Sequence, residues 1–284
     1  MRRFLPLAVA IAWPLAGPAF GGSAEVAIGG DGNVATIEQA GIGSAFIEQV
    51  GAFGGAATIS QSGDDTAEIR QRGSGNTATL DLEGSGHKAS VEQNGAGNSA
   101  AARLSGTGHR LNVRQDGEGN VLDASLDGAG ISADVLQEGG ANGASLDLAG
   151  TGHMLDLLQS GGGNAASIGQ RGSGHVAHVS QAGGGWLHLA QHGSGHTLDL
   201  VQSGGGNHAG IEQNGSGNVL TVRQEGGGNS LSFVQSGAGL SGLIEQSGGQ
   251  ALQVVQDGAM PLYISQNGMQ IAPVPVTVTS PAGQ

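Results

Sequence analysis

Five histidines recur at one place in a repeating pattern and are the first candidates for chemistry. His87 and His109 are 22 residues apart, as are His153 and His175, and His196 follows 21 residues later. Imidazoles stacked at the roughly 4.8 Å spacing of neighbouring strands could bridge a metal ion. A zinc site needs about four converging ligands, however, and no Cys or Asp column accompanies these histidines. We therefore predict a structural imidazole column, with no metal and no cofactor.

The packed imidazoles lead to a prediction about pH. Burial penalises the charged ring, so the pKa of these histidines should be lower in the folded chain than the unfolded value of about 6.5. The stability that depends on neutral imidazoles is then lost as the pH falls below that value. A melting temperature that stays constant between about pH 8 and pH 5 would contradict this prediction.

Asparagines occupy the corresponding place in the alternate repeats. They are Asn76, Asn98, Asn120, Asn142 and Asn164. Histidines open the repeats between them, with Ile131 as the one interruption. Because the Asn and His classes alternate, the structural period is predicted to be two repeats, about 22 residues, and each class should form its own ladder.

A second fixed position in each repeat is followed two residues later by glycine. Glutamine occupies it at Gln39, Gln49, Gln61, Gln71, Gln93, Gln115, Gln137, Gln159, Gln170, Gln181, Gln191, Gln202, Gln213, Gln224, Gln235, Gln246, Gln256 and Gln266. Four repeats carry leucine there instead: Leu82, Leu104, Leu126 and Leu148. An isolated buried amide is costly, but identical stacked amides can each donate to the amide one coil along. We predict a structural glutamine ladder interrupted by a dry leucine stripe.

The residues from Asn33 to Gly43 show which elements position these side chains. Seven residues alternate as in a strand, which places Asn33, Ala35, Ile37 and Gln39 on one face. The glycines that follow supply the positive backbone dihedrals of a tight turn. Proline is absent between Ala19 and Ala259, as expected where nearly every amide joins a ladder.

These patterns predict an all-β fold. We expect a β-solenoid with two strands per coil of roughly 22 residues, about eleven coils, and two stacked parallel sheets. The period of two repeats is preferred to a coil of three strands, which would mix the Asn and His classes.

Composition limits the functional classes. Gly accounts for 57 of 284 residues, aromatic content is 3%, and there is no cysteine, so neither a bulky core nor disulfides can stabilise the chain. The net charge of -13 repels phosphate, which argues against a nucleic-acid partner. No repeat stands out as a catalytic site, and we predict no catalytic residues and no enzyme activity.

The ends of the chain differ from the repeats. Arg2 and Arg3, an apolar stretch and then small residues predict a secretory signal peptide over residues 1–24, with cleavage after Ala19, Gly21 or Ala24. The apolar run is too short for a stable membrane span. A short segment, 25–32, precedes the repeat solenoid, 33–271. The tail, 272–284, contains Pro273 and Pro275 and could obstruct the last strand edge.

The arrangement Gln-x-Gly-x-Gly-Asn-x-Ala-x-x-x-Gln resembles the curlin repeat of bacterial curli fibres. It occurs from Gln71 to Leu82 except for the last residue, and again from Gln159 to Gln170. The resemblance extends from about Asn33 to Gly268. Histidine at the Asn position and leucine at the Gln position depart from that family's pattern.

The resemblance implies a functional-amyloid role. It implies a secreted subunit that passes the outer membrane through an export apparatus, pairs with itself and with other curlin-type subunits, and forms adhesive biofilm fibres. The chain could be the main fibre subunit, a nucleator or an accessory fibre protein. A monomeric β-solenoid adhesin at the cell surface is the alternative.

Overall fold

The computed structural model describes residues 8–12, 22–258, 260–268 and 274–278. Over these residues the secondary structure consists of strands β1 to β25 and contains no helix. No helix that could cross a membrane is therefore present in this part of the chain. The chain divides into two compact units, unit 1 (Met1–Ala141) and unit 2 (Asn142–Gln284).

In each unit, alternate strands belong to different sheets. The odd-numbered strands form sheet A and the even-numbered strands form sheet B. The strands of unit 1 are β1 (Ala8–Ala12), β2 (Ser23–Ile28), β3 (Val34–Ala40), β4 (Ser44–Phe53), β5 (Ala56–Ser62), β6 (Thr66–Ser74), β7 (Thr77–Ser85), β8 (Lys88–Ala96), β9 (Ser99–Thr107), β10 (Arg110–Glu118), β11 (Val121–Ala129) and β12 (Ser132–Gly140).

Unit 2 continues the same alternation. Its strands are β13 (Gly143–Thr151), β14 (Met154–Gly162), β15 (Ala165–Ser173), β16 (Val176–Ala182), β17 (Trp186–Ser194), β18 (Thr197–Ser203), β19 (His208–Ser216), β20 (Val219–Glu225), β21 (Ser230–Ala238), β22 (Ser241–Ser247), β23 (Ala251–Gln256), β24 (Leu262–Asn267) and β25 (Val274–Val278).

Strand pairing is parallel and keeps a constant register. In β10, for example, Gln115 lies opposite Gln93 of β8 and opposite Gln137 of β12. Such pairs are 22 residues apart, so two strands and two turns make one coil. The prediction of an all-β solenoid with two parallel sheets, coils of about 22 residues and about eleven turns is confirmed.

The core is a thin layer between the two sheets of each unit. Along β3, Ala35, Ile37 and Gln39 are buried while Val34 and Glu38 are exposed, the alternation expected of a strand with one solvated face. The same alternation recurs along the later strands. From β3 to β20, each strand therefore buries two small or aliphatic side chains together with the residue at the fixed position.

The turn glycines perform two different tasks. Gly95 has φ +115°, and a Cβ placed on it would lie 2.0 Å from the carbonyl oxygen of Gly117 in the next coil. Gly97 has φ +64° and has no atom within 4 Å of such a Cβ. The first turn glycine is thus required by both backbone conformation and close coil packing, the second by conformation alone.

Residues 8–12 lie in the stretch for which the sequence predicts a signal peptide. They form β1, which pairs with β3 so that Ala8 lies opposite Val34. If that peptide is cleaved as predicted, β3 becomes the first strand of sheet A in unit 1.

Candidate functional site

The glutamines of sheet B form hydrogen-bonded columns inside each unit. In unit 1 the side-chain Nε2 of Gln49, Gln71, Gln93 and Gln115 each donates to the Oε1 of the glutamine one coil along, at 2.7–2.8 Å. Unit 2 has its own column from Gln159 through Gln181, Gln202, Gln224 and Gln246 to Gln266, at 2.7–3.2 Å. The amide donors all point toward the C-terminal coil.

The same amide groups also join the two sheets of a coil. Nε2 of Gln93 donates to the carbonyl oxygen of Thr77, the first residue of β7, at 3.0 Å. Gln71 makes the corresponding bond to Ala56 of β5 at 3.1 Å. Both N–H groups and the carbonyl oxygen of an interior glutamine are therefore used, so a fully buried amide is tolerated.

Among the described residues of sheet A, a glutamine column is formed in unit 2 and not in unit 1. In unit 2, consecutive bonds of 2.7–2.9 Å connect Gln170, Gln191, Gln213, Gln235 and Gln256. In unit 1 the fixed positions of β7, β9 and β11 are Leu82, Leu104 and Leu126, all fully buried.

The predicted ladder is not formed at the two glutamines that precede this leucine stripe. Gln61 lies opposite Leu82, which offers no amide, and neither its Nε2 nor its Oε1 has a hydrogen-bond partner. Gln39 donates to the carbonyl oxygen of Gly43 instead of to Gln61. Gln170, which follows Leu148 in unit 2, likewise has an unpartnered Oε1. The change from amide to leucine therefore leaves unpaired atoms at its borders.

The asparagines before the sheet A strands form a second column. In unit 1, the backbone N–H and the Nδ2 of Asn98 both donate to Oδ1 of Asn76, at 3.0 and 3.2 Å. The same two groups of Asn120 donate to Oδ1 of Asn98. In unit 2, Asn164 donates to Asn142 in the same manner. Here the side-chain amide of the later coil donates to the earlier coil, opposite in direction to the glutamine bonds.

The histidines before the sheet B strands stack face to face. Ring centroids lie 5.0 Å apart for His87 and His109, 4.9 Å for His153 and His175, and 5.0 Å for His175 and His196. Nδ1 of His175 accepts the backbone N–H of His196 at 3.2 Å, and its Nε2 lies 3.0 Å from the carbonyl oxygen of Arg171. An acceptor at Nδ1 and a carbonyl at Nε2 require the neutral ring with its proton on Nε2.

The electrostatics of the column follow from this geometry. Burial lowers the pKa of His109, His153 and His196 below 6.5, opposed in part by the backbone carbonyl that each ring contacts. Burial lowers the pKa of His175 to about 4, with further lowering by the neighbouring histidines. For these four histidines the direction agrees with the sequence-based prediction. In the described part of the chain, no group of three or more His, Asp or Glu side chains could hold a metal ion.

Sequence reasoning missed several members of these columns. The further residues at the same positions before strands, all buried, are Asp65, Asn207, Asn218, Asn229 and Gln250. Asp65 accepts the backbone N–H of His87 at 2.8 Å, so a carboxylate starts the imidazole column. The sequence signal for these members was their position immediately before a strand. Such positions recur every 21 or 22 residues within each sheet.

One outward cluster also escaped the sequence analysis. The exposed ring of Trp186 lies 6.2 Å from the ring of His188 and 6.0 Å from that of His208, on the outer face of sheet A in unit 2. Elsewhere the outward charges form exposed pairs, such as Arg114 with Asp116 at 2.7 Å, which contribute little to stability.

The paired sheets and the interior columns define a class: a two-sheet β-solenoid whose core is held by stacked amides and imidazoles. Residues 64–95, 154–183 and 193–226 each match the family model described as curlin associated repeat. Curlin repeats are therefore present at three places in the chain, as the repeat motif predicts. No curated protein matches the chain.

Proposed function

We propose that this chain is a secreted, non-enzymatic structural protein, either a curli-like fibre subunit or an accessory fibre protein. It self-associates by pairing of strand edges and contributes to adhesion and to a biofilm matrix outside the cell. Other curlin-type subunits and an outer-membrane export apparatus are its further partners. The curlin repeats at three places in the chain and the β-solenoid fold support this proposal.

The constant register of the coils is the observation that carries the proposal. Each coil offers the next one the same ladder of backbone groups, as in the pairing of β8 with β10 and of β10 with β12. The first and last strands of such a stack have ladder groups without a neighbour. An unpaired strand edge is a template for another chain, and a second copy has a matching coil to add.

The interior columns favour addition in register. An added coil that slipped by one residue would place an outward side chain against a glutamine or asparagine amide and leave it unpaired. Correct stacking instead extends a column such as Gln224–Gln246–Gln266. Side-chain amides therefore select the register that backbone pairing alone would leave open.

Incubation of the purified mature protein tests the proposal. We expect fibres in electron micrographs and a fibre-diffraction reflection near 4.7 Å, the strand spacing along the fibre. Size-exclusion chromatography of the starting sample establishes that it begins as a monomer. Persistent monomers at high concentration without that reflection would reject self-assembly and favour the monomeric adhesin.

A further inference from the structure

We propose that Pro261 and Pro275 blunt the C-terminal strand edges and slow the head-to-tail addition of a second copy. The inference rests on the proposed self-association and adds a control to it. Among the described strands, β2 at the N-terminal edge of sheet B keeps its backbone donors, whereas the C-terminal edge lacks donors at Pro261 and Pro275. The proposal depends on which backbone N–H groups of the last strands point away from the preceding coil.

Outward-facing and inward-facing residues direct their N–H groups to opposite neighbours. At the start of β20 and β21, the outward residues Val219 and Ser230 donate to the following coil, at Leu240 and Gln250, both at 2.7 Å. Gly239 lies four residues after the inward-facing Gln235 and so falls on the inward series of alternating positions. Its N–H donates to the carbonyl oxygen of Ser216 in the preceding coil at 2.8 Å. An outward residue of the last strand therefore directs its N–H to the free side.

Pro275 occupies such an outward position in β25. It lies opposite Gln253 of β23, both residues are exposed, and β25 is the last strand of sheet A in the described chain. Pairing with β23 does not use an N–H at residue 275. The donor that proline lacks is the one that would bond an incoming coil, which is where proline is tolerated in a sheet.

Pro261 has the equivalent place in sheet B. Gly242 lies opposite Leu262, so the register places Pro261 level with Ser241, the first outward residue of β22. The corresponding N–H of Val219, one coil earlier, donates to the following coil. Both sheets thus lack one donor at the same end.

The N-terminal edge of sheet B has no such defect. β2 contains no proline. Its half-buried residues Ala24, Val26 and Ile28 occupy the inward-facing positions of the strand. Their N–H groups are directed away from β4 and toward the free side. Val26 and Ile28 lie after every predicted cleavage position, so an incoming coil could use these two donors in the mature protein.

Replacing both prolines in the full chain tests the inference. P261S/P275T restores an N–H at each position, with residue types that stand outward elsewhere in these strands, such as Ser241 and Thr277. Two recovered hydrogen bonds correspond to about 30-fold tighter addition, and we expect seeded elongation to accelerate by a factor of roughly that order. P281A, which removes a proline that follows β25 in the sequence, is the matched control and should elongate like the wild type.

A second substitution tests which edge receives the added copy. V26P in the P261S/P275T background removes a donor directed to the free side but leaves the pairing of β2 with β4 intact. Elongation should fall by about fivefold, while the thermal unfolding midpoint stays that of the parent. Unchanged elongation with an unchanged midpoint would overturn the assignment of the open edge.

The outcomes separate this inference from the proposed function. Equal elongation of the wild type and P261S/P275T overturns the proline block but leaves fibre formation standing. If P261S/P275T assembles and the wild type does not, the result supports the proline block and rejects unaided fibre formation by the natural chain. Absence of cross-β assembly in both rejects both.

Discussion

In unit 1 the two sheets of a coil solve the same packing problem with different side chains. Sheet A strands β7, β9 and β11 follow asparagines and carry leucine at the fixed position. Sheet B strands β8 and β10 follow histidines and carry Gln93 and Gln115 there. Both sets are buried and both keep the 22-residue register.

The difference separates two kinds of stabilisation. Burial of a leucine side chain stabilises the fold by about 2 kcal/mol, whatever its neighbour in the column is. A glutamine gains little net free energy, and only if the coils before and after it present amides in register. Leucine therefore stabilises the coil locally, whereas glutamine couples neighbouring coils. The unpaired amide of Gln61 beside Leu82 marks the border between the two.

The largest expected effect tests whether the turns after leucine strands and after glutamine strands tolerate a substitution equally. Gly84 lies near the end of β7, which carries leucine, and Gly95 lies near the end of β8, which carries glutamine. A Cβ on Gly84 or Gly95 would lie 1.9 or 2.0 Å, respectively, from a carbonyl oxygen of the next coil. We expect Gly84→Ala and Gly95→Ala each to destabilise by more than about 4 kcal/mol, because backbone must move. Denaturant unfolding measures both. A much smaller cost on the leucine side would mean that sheet A is the more adaptable sheet.

A second pair of variants introduces glutamine into the leucine stripe. Leu104→Gln buries an amide between Leu82 and Leu126 and should cost about 3 kcal/mol. Leu82→Gln instead lies beside the unpaired amide of Gln61 and should cost about 1 kcal/mol, because the two amides can pair. The free energies of unfolding from urea titrations provide the comparison.

The contrast between these two variants is the decisive quantity. Both remove a buried leucine from the same column, so lost hydrophobic burial is nearly equal and cancels. Equal destabilisation would show that an adjacent amide contributes nothing, and that the glutamine columns do not couple coils.

The third prediction uses the imidazole column of sheet B, which titrates, against the asparagine column of sheet A, which does not. The pKa of His175 is lowered from 6.5 to about 4, so its contribution is fully present above pH 6.5 and is lost as the pH falls toward 4. That loss amounts to at most about 3 kcal/mol. Melting temperatures should therefore fall over this interval.

His175→Asn is the matched variant for the pH experiment. An asparagine Oδ1 can accept the following backbone N–H, as Asn142 does from Asn164 at 3.2 Å. The variant should have a flatter dependence of melting temperature on pH than the wild type. An identical slope in both proteins would mean that His175 does not contribute to the acid sensitivity.

The smallest expected effect concerns the second turn glycine. Gly97→Ala meets no atom within 4 Å and only has to adopt a positive φ, as Ala141 does with φ 56° at the corresponding place. We expect a cost of about 1 kcal/mol. A loss as large as that of Gly95→Ala would show that the second glycine also limits how closely the coils approach.

Most of the fold could be predicted from the sequence because the repeat encodes it redundantly. The alternation along Asn33 to Gln39, the paired turn glycines and the Asn/His alternation each indicate the same two-strand coil. Column membership was harder to predict. Asp65 and Gln250 were missed since they interrupt the residue pattern, although they occupy the same buried positions.

The sequence by itself determined the period, the inward face and the residue types of the columns, because side-chain direction in a strand depends only on position along the chain. Only the tertiary structure decided which atoms pair. Gln61 has the same local sequence environment as its ladder-forming counterparts, yet its amide is unpaired because the residue opposite it is Leu82. Likewise, the position of Pro275 becomes meaningful only once its register with Gln253 shows which side its missing N–H would face. Hydrogen bonds join residues 22 apart, so their formation depends on the stacked coil and not on the repeat alone.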